Sequence, residues 1–505
     1  MTADLQDPTN VATAKSPNPH LVLASVLLAA LVLPLSFTGG AIATPAIGRD
    51  LGGTATELTW ITNAFMLTFG SLMMTAGALA DQYGRKRIFV GGVALFVFFS
   101  VALTFAASVA MIDLLRAGQG VGAAAALAGG SAAIAQEFEG HARLRAFSLL
   151  GATFGLGLAV GPVMVGWLVE MFGWRSIFMA GAIIGALALV FGAPRMRETR
   201  DPDAVGLDWP GVVSFTGLLS LFTFGVIQAP ESGWISPLVI GSLSGAVALL
   251  AVFIVVERRA ARPMLDLGLF RYPRFVGVQL LPIATCYAYV VLLIVLPLRL
   301  VGVEGRSEID AGLLMIALSG PMVVVPWLAA NLTRWLSAGV VAGVGLVIAA
   351  IGLLWLGAVP AGANLALVPP ILVIGFGAGL PWGLMDGLSV TVVPKERAGM
   401  ATGVFNTTKV AGEGVALAIV SAALAGLTAS NLRSAGAADR VGEIAQRVAT
   451  GDLPHAAALA PAFDRAALIQ SYLGAFQQLT WGLSAITLVS AIAAFTLLGR
   501  VKGEP

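Results

Sequence analysis

Apolar residues in this chain occur in long, nearly uninterrupted runs that are separated by short polar segments. A helix needs roughly 20 mostly apolar residues to cross a bilayer, and inside lipid only helices and closed barrels satisfy all their backbone hydrogen bonds. The runs show no alternation with a period of two, so they predict helices rather than strands. Fourteen runs are long enough, in groups of six, two and six, at residues 21–47, 58–80, 88–107, 112–135, 146–169 and 177–193, then 209–227 and 237–256, then 275–298, 311–330, 338–359, 365–392, 398–429 and 472–498.

This arrangement predicts an all-α polytopic membrane protein with 14 spans, built from two six-helix bundles and two additional central transmembrane helices. The segment at 430–471 is rich in alanine and carries charges of both signs, which indicates an external helical loop. It is too short to hold a hydrophobic core of its own. The predicted segments are, in order, a cytoplasmic tail at 1–20, a six-helix bundle at 21–193, two extra helices with their linkers at 194–274, a second six-helix bundle with the external loop at 275–498, and a cytoplasmic tail at 499–505.

The composition narrows the class of protein further. Hydrophobic residues make up 58% of the chain and charged residues only 11%, which excludes a soluble protein. The 61 glycines follow no collagen period and suit helices that approach one another closely. The 29 Lys and Arg residues form no dense basic tract, so nucleic acid is not an expected partner.

The residue types that other chemistries need are missing or wrongly spaced. The single cysteine, Cys286, excludes an internal disulfide and a zinc site built from several cysteines. The sequence has no His-Glu-x-x-His pattern, and no lysine follows a glycine, which excludes a Gly-x-x-x-x-Gly-Lys phosphate loop. We therefore expect neither an enzyme nor an ATP-driven pump, and no metal or cofactor.

The placement of positive charge predicts the orientation. With a cytoplasmic N-terminus, 19 of the Lys and Arg residues lie on cytoplasmic segments and 8 on external ones, while Arg116 and Lys409 lie within spans. Such an excess on one side favours a plasma (inner) membrane protein with both termini in the cytoplasm. The segment before the first span holds little positive charge, so we expect this span to remain uncleaved.

The loop after the second predicted span combines glycines with a cluster of charges. Its sequence is Gly77-Ala-Leu-Ala-Asp81-Gln-Tyr-Gly84-Arg85-Lys86-Arg87. Glycine allows close helix approach or a tight turn, and a carboxylate beside three cations can pair with an arginine or with a helix N-terminus. A basic cluster alone would serve as a cytoplasmic anchor. The full spacing is more specific than an anchor requires.

This loop resembles the signature loop of the major facilitator superfamily. Residues 115–122 in span four, Leu-Arg-Ala-Gly-Gln-Gly-Val-Gly, resemble a second motif of that family. The stretch Gly157-Leu-Ala-Val-Gly161-Pro162-Val-Met-Val-Gly166 in span five is similar to the antiporter signature of its exporters. With the two central helices, the chain resembles the fourteen-span drug:proton antiporter branch. The resemblance implies alternating access, with the loop residues as a conformational gate and the span-five residues as a hinge.

Few charged residues lie within the predicted spans, where each costs roughly 2.5–3.5 kcal/mol and needs a partner or a water-filled path. Arg116 follows Asp113 by three residues, which is close enough on a helix for the two to interact. In the resembling family, an arginine at this place lies near the proton pathway. The alternative is a structural pair near the outer interface.

Two further charged sites lie in the second bundle. Lys409 and Glu413 are one turn apart on one helix face, and they either neutralise one another or form a cavity-lining pair that breaks on binding. Asp386 is an isolated acid and a candidate proton carrier. The proton-coupling candidates are therefore Asp386, Glu413, Asp113 and Arg116, and the substrate-cavity candidates are Lys409, Glu413, Asn406, Trp382, Phe65, Asn63 and Phe154.

The first span departs from the resembling branch, whose members usually carry an acid where this chain has Ser36. Coupling must then use another acid or be absent. We therefore expect a proton-coupled exporter of small amphipathic compounds, with a narrower metabolite carrier, or an exporter with altered or absent proton coupling, as the alternative. The expected partners are a small-molecule substrate, protons and the bilayer. We expect a monomer, and the sequence identifies no periplasmic adaptor.

Overall fold

A computed structural model describes residues 18–138, 140–200, 208–260, 263, 265, 267–360, 364–392, 398–436, 440–461 and 463–499. In these ranges the regular structure is helical, without strands. The α-helices are α1 (Pro19–Leu51), α2 (Ala55–Tyr83), α3 (Arg85–Thr104), α4 (Val109–Glu137), α5 (Gly140–Phe172), α6 (Arg175–Gly192), α7 (Trp209–Ser232), α8 (Pro237–Arg259), α9 (Pro273–Thr285), α10 (Leu292–Pro297), α11 (Glu308–Ser319), α12 (Pro321–Leu332), α13 (Ala338–Gly357), α14 (Asn364–Thr391), α15 (Ala398–Ser434), α16 (Val441–Ala449), α17 (Leu453–Leu459) and α18 (Arg465–Leu498).

Several short elements join into longer membrane-length segments. Two π-helical turns, Cys286–Val290 and Leu298–Val303, continue α9 and α10 into one segment, Pro273–Val303. Likewise α11 and α12 form one segment, Glu308–Leu332. The predicted tails lie almost entirely outside the described residues.

The all-α polytopic prediction is confirmed. Twelve segments are long and apolar enough to cross a membrane, and α5 is a thirteenth if its two parts, which meet at an angle of 42°, count as one span. Helix α4 has 29 residues but is not in this set. Its apolar residues are mostly alanine and glycine, whose hydropathy is low. The count of fourteen spans therefore stays a prediction.

Helix starts follow ordinary capping chemistry. Thr54 accepts a hydrogen bond from the Glu57 backbone N–H at 3.2 Å, and the Glu57 carboxylate accepts one from the Thr54 N–H, which makes a capping box for α2. A serine hydroxyl caps four further helices in the same way, at Ser108, Ser236, Ser307 and Ser337. These caps satisfy N–H groups that the first helical turn leaves free.

The helices divide into two contacting groups. Helices α1 to α6 pack on one another, and the segments from α9 to α15 pack together with α18. Helices α7 and α8 form a pair, and α7 contacts both groups through α2 and α15. The two groups meet mainly where α5 contacts α11 and where α2 contacts α15. These two contacts, α5 with α11 and α2 with α15, set how the residues of the candidate site lie relative to one another.

The loop between the last two spans is shorter than predicted. It contains α16 and α17, which we call the hairpin, while α15 extends to Ser434 and α18 begins at Arg465. Helix α17 does not continue into α18, because Pro461 interrupts the helical backbone and Asp464 caps a new helix start. We call the end of the molecule that holds the hairpin the hairpin end, and the other end, which holds Asp81–Arg87, the loop end.

Candidate functional site

From the middle of the helices to the hairpin end, the two helix groups pack so closely that their backbones are in contact. A Cβ on Gly70 of α2 would lie 2.6 Å from the Cα of Ala411 on α15. A Cβ on Gly312 of α11 would lie 2.8 Å from the carbonyl oxygen of Pro162 on α5. Small residues thus let the groups close against one another, as is common between membrane helices.

Polar contacts reinforce this closure at the hairpin end. The Arg49 guanidinium pairs with the Glu308 carboxylate of the other group at 2.9 Å. From the hairpin, Gln446 donates a hydrogen bond to the Thr56 hydroxyl at 3.1 Å, and Arg447 donates one to the Gly53 carbonyl at 3.1 Å. The hairpin therefore bridges both groups, and this end of the molecule is closed.

At the loop end, the charged motif makes contacts within the first group. Arg85 pairs with Asp81 at 2.8 Å, and the Lys86 backbone N–H donates to the Glu198 carboxylate at 3.2 Å. Arg87 lies 3.5 Å from the same carboxylate. Glu198, which the sequence analysis missed, therefore accepts bonds at the positive N-terminus of α3. No local spacing indicates this contact, because Glu198 lies 112 residues after Lys86 in the chain.

The two motif glycines of this loop differ in role. Gly84 has φ of 116°, a conformation that L side chains rarely adopt, so a glycine is required at this turn between α2 and α3. A Cβ on Gly77 would meet no atom within 4 Å. The close helix approach that we expected at Gly77 is therefore not present in this structure.

The span-five motif faces two different neighbours. Cβ atoms on Gly157 and Gly161 would lie 3.1 Å from Pro34 and 3.0 Å from Thr38 of α1. A Cβ on Gly166 would overlap the carbonyl of Glu308 across the group interface. The 42° bend of α5 lies just before Pro162, which cannot donate a backbone hydrogen bond.

Arg116 is fully buried, and its guanidinium ties α4 to α1 and α2. It donates to the carbonyls of Ile61 at 2.9 Å and Ser36 at 3.1 Å, and to the side-chain oxygen of Gln119 at 2.6 Å. It also lies 4.4 Å from the centroid of the Phe65 ring. Arg116 thus contacts the backbone of Ser36, the residue that stands where the resembling branch is expected to have an acid.

Asp113 makes no ion pair with Arg116 in the described part of the chain. Its Oδ1 atom is buried and has no hydrogen-bond partner among the described residues. Arg116 is instead held by neutral acceptors, with one polar link onward from Gln119 to the Ser100 hydroxyl at 2.7 Å. Any interaction between the charges of Asp113 and Arg116 therefore acts over a longer distance than an ion pair.

The charged residues of α14 and α15 pair differently from the prediction. Lys409 Nζ lies 3.8 Å from Oδ1 of Asp386 and 4.5 Å from the centroid of the Trp382 ring. Asp386 is therefore not isolated, and among the described residues it, rather than Glu413, is the acid in direct ion-pair contact with Lys409. Packing of α14 against α15 brings these side chains together, which spacing along one helix cannot reveal.

The remaining cavity candidates are spread over both groups. Asn63 lines a cavity of about 40 Å³ between α1, α2, α7, α10, α15 and α16, towards the hairpin end. Phe154 packs against the core from α5, and Asn406 lies on α15 one turn before Lys409. Trp382 contacts Tyr289, which the sequence analysis missed, with ring centroids 6.3 Å apart. Of the cavity candidates, Phe65 lies against Arg116 and Trp382 against Lys409.

Sequence reasoning also missed a buried ionic cluster at the hairpin end. Arg299 and Arg306 each contact Glu304 at 2.7 Å, with side chains 1%, 10% and 6% exposed. Both arginines are among the 8 basic residues that the predicted orientation places on external segments. Because the cluster is tight and lies against Phe476 of α18, it fixes the end of the Pro273–Val303 segment.

Comparison with known proteins assigns the chain to a family and a fold. A sequence model described as "Major Facilitator Superfamily" matches residues 26–417. Among solved structures, a bacterial homolog of the human lysosomal transporter Spinster covers 96% of this chain and 98% of its own, with a TM-score of 0.60 and 16% identity. At that identity the likeness concerns the fold alone.

Curated relatives include several export and resistance proteins. "Multidrug resistance protein Stp" of Mycobacterium tuberculosis (strain CDC 1551 / Oshkosh) is 30% identical, over 77% of this chain and 73% of the relative. "Cephamycin export protein CmcT" of Amycolatopsis lactamdurans is 33% identical, over 75% and 79%. "Puromycin resistance protein pur8" of Streptomyces alboniger is 32% identical, over 85% and 87%.

Proposed function

The chain belongs to the major facilitator superfamily, and from that premise we propose that it exports small amphipathic compounds in exchange for protons. It is a multi-pass membrane transporter and not an enzyme. The names of its relatives, which concern multidrug resistance and the export of antibiotics, support export as the direction. We place the protein in the plasma (inner) membrane. We place both termini in the cytoplasm, because 19 of its basic residues then lie on the cytoplasmic side.

The observation that carries the coupling proposal is the ion pair between Lys409 and Asp386. A proton on Asp386 removes the charge that attracts Lys409, so protonation and cation binding at this carboxylate exclude one another. The Asp386 side chain is 53% exposed, which leaves it open to protons and solutes. Asp113 and Glu413 are further candidate carriers, since carboxyl groups within spans need a partner or a water path.

Alternating access supplies the transport step. In this structure the two groups touch at the hairpin end, so release there requires α2 to separate from α15 and α5 from α11. The hydrogen bonds from Gln446 and Arg447 to the first group must break in the same step. The loop-end contacts around Asp81 and Glu198 are the proposed gate for the opposite movement, and the bend near Pro162 the proposed hinge.

Transport in proteoliposomes tests this proposal. An imposed pH gradient should drive accumulation of an amphipathic dye such as ethidium, and nigericin should abolish it. Asp386→Asn and Glu413→Gln should reduce gradient-driven accumulation, while Glu443→Gln, an acid of the hairpin that lies outside the spans, serves as the matched control. Accumulation that is equal with and without a gradient would contradict proton coupling.

The alternative is a narrower carrier without proton coupling, and Ser36 motivates it, because the usual first-span acid is absent. In that case the dye would equilibrate but not accumulate, and the acid variants would leave equilibration unchanged. Ser36→Asp should then restore gradient-driven accumulation, since its backbone already contacts Arg116. Under the main proposal, Ser36→Asp is not needed for accumulation.

A further inference from the structure

The ammonium group of Lys409 lies between an aromatic ring and a carboxylate, a position that suits a bound cation. Its Nζ lies 4.5 Å from the centroid of the Trp382 ring and 3.8 Å from the Asp386 carboxylate. An aromatic face together with a carboxylate is the arrangement that attracts organic cations in proteins. Trp382 and Asp386 are four residues apart on α14, so both side chains project from the same face of one helix.

The aromatic ring on this face is held in place by a residue other than Lys409. Trp382 is buried, and its ring contacts the fully buried Tyr289 of the Pro273–Val303 segment edge to face, with centroids 6.3 Å apart. Such aromatic pairs hold ring positions. If the lysine moved away, the ring would therefore remain in place, and the Asp386 carboxylate would still project from the same face of α14.

The contact that Lys409 makes is loose compared with the structural ion pairs of this protein. Its distance to Asp386 is 3.8 Å, whereas Arg299 contacts Glu304 at 2.7 Å, and there both side chains are nearly unexposed. A lysine carries its charge on a flexible stem of four carbons, and Asp386 is half exposed. Both features allow exchange of the ammonium for another cation.

A displaced Lys409 has a second partner close by. Glu413 lies one turn further along the same face of α15, and its carboxylate makes no ion pair or hydrogen bond in the described part of the chain. Moving from Asp386 to Glu413 keeps the lysine charge compensated. The arrangement is therefore a two-position switch for one ammonium group.

We propose that Trp382 and Asp386 form the binding site for the cationic group of a substrate, and that Lys409 occupies this site as a built-in competitor when no substrate is bound. The inference rests on the proposed export function and adds to it the substrate class, an amphipathic organic cation, together with the residue that controls its affinity. Binding displaces Lys409 towards Glu413.

Equilibrium binding to the purified full-length protein tests this without any pH gradient. The probes are tetraphenylphosphonium and tetraphenylborate, which share a shape and differ in the sign of their charge. If Lys409 occupies the site about 90% of the time, its removal in Lys409→Met should tighten tetraphenylphosphonium binding about tenfold. Trp382→Leu and Asp386→Asn should weaken that binding, and Glu413→Gln should also weaken it because the displaced lysine loses its second partner.

Lys409→Arg is the control, because it keeps a cation over the ring and should retain the wild-type affinity within about threefold. Unchanged or weaker tetraphenylphosphonium binding in Lys409→Met would overturn the proposal, as would the absence of binding in both proteins. Loss of tetraphenylborate binding in Lys409→Met, without tighter phosphonium binding, would overturn it in favour of an anion site at Lys409. Failure of proton coupling would appear only in the gradient experiment and would leave these binding results unaffected.

Discussion

Gly70 lies at the middle of α2, where the two helix groups touch, and adding one methyl group there perturbs the contact in a defined way. A Cβ on Gly70 would lie 2.6 Å from Ala411 Cα and 2.7 Å from Ala411 N. Ordinary contact begins at 3.4 Å, so α2 and α15 must separate locally by about 0.8 Å. The obstacle is backbone, which cannot rotate aside as a side chain can.

The expected effect of Gly70→Ala is a shift towards the state that is open at the hairpin end. Overpacking of one such site costs roughly 1–3 kcal/mol. Because the closed contact bears this cost and a separated interface does not, the ratio of open to closed molecules should rise about 5- to 150-fold. Each helix group should still fold, since the collision lies between the groups.

Distances between two spin labels can measure this shift. Suitable sites are the exposed residues Ala107, after α3, and Ala358, after α13, each replaced by cysteine in a Cys286→Ala background. Gly426→Ala is the matched control on α15, because a Cβ there meets no atom within 4 Å. A longer mean distance in Gly70→Ala but not in Gly426→Ala is expected. Equal distance distributions in both variants would refute the assignment of this contact to closure.

Three further predictions concern the gate, the hairpin and the buried arginine. Gly84→Ala should destabilise the turn between α2 and α3 by about 1–3 kcal/mol, because φ is positive there, and thermal unfolding in detergent measures this; an unchanged midpoint would argue against strain. A short cross-linker that joins Thr56→Cys to Gln446→Cys through disulfide bonds should stop export, and reduction should restore it. Continued export after complete cross-linking would show that the hairpin need not move. Arg116→Lys should lower stability by about 2–4 kcal/mol because an ammonium cannot reproduce all three hydrogen bonds, whereas wild-type thermal stability would show that charge alone suffices.

The membrane helices could be predicted because lipid imposes a simple rule on the sequence. Runs of apolar residues predict the membrane-length segments from α1 to α15, and α18, with ends that differ from the structure by up to seven residues, since each must cover the same thickness of hydrocarbon. Helix α4 shows the limit of that rule. It is long, about half of its residues are buried between its neighbours, and its small residues serve helix contact rather than hydropathy.

The partners of the charged residues could not be predicted, because they lie on different helices. Spacing along α15 favoured Glu413 as the partner of Lys409, but the packing of α14 against α15 brings in Asp386, 23 residues earlier in the chain. Glu198 was missed for the same reason, because it contacts Lys86 from 112 residues further along the chain. The ion pairs of Arg299 and Arg306 with Glu304 are local in sequence, and what the sequence does not show is their burial against Phe476 of α18. The turn glycine Gly84 could be predicted because its conformation is a local property.

Proton movement upon addition of substrate tests the central claim most directly. Proteoliposomes that hold a pH-sensitive dye and contain the wild-type protein start without any gradient, and a panel of amphipathic cations is added outside. Exchange predicts that the lumen becomes more alkaline as each transported cation enters and protons leave, and that Asp386→Asn diminishes this change. Entry of the cations with no change of lumenal pH would contradict the account.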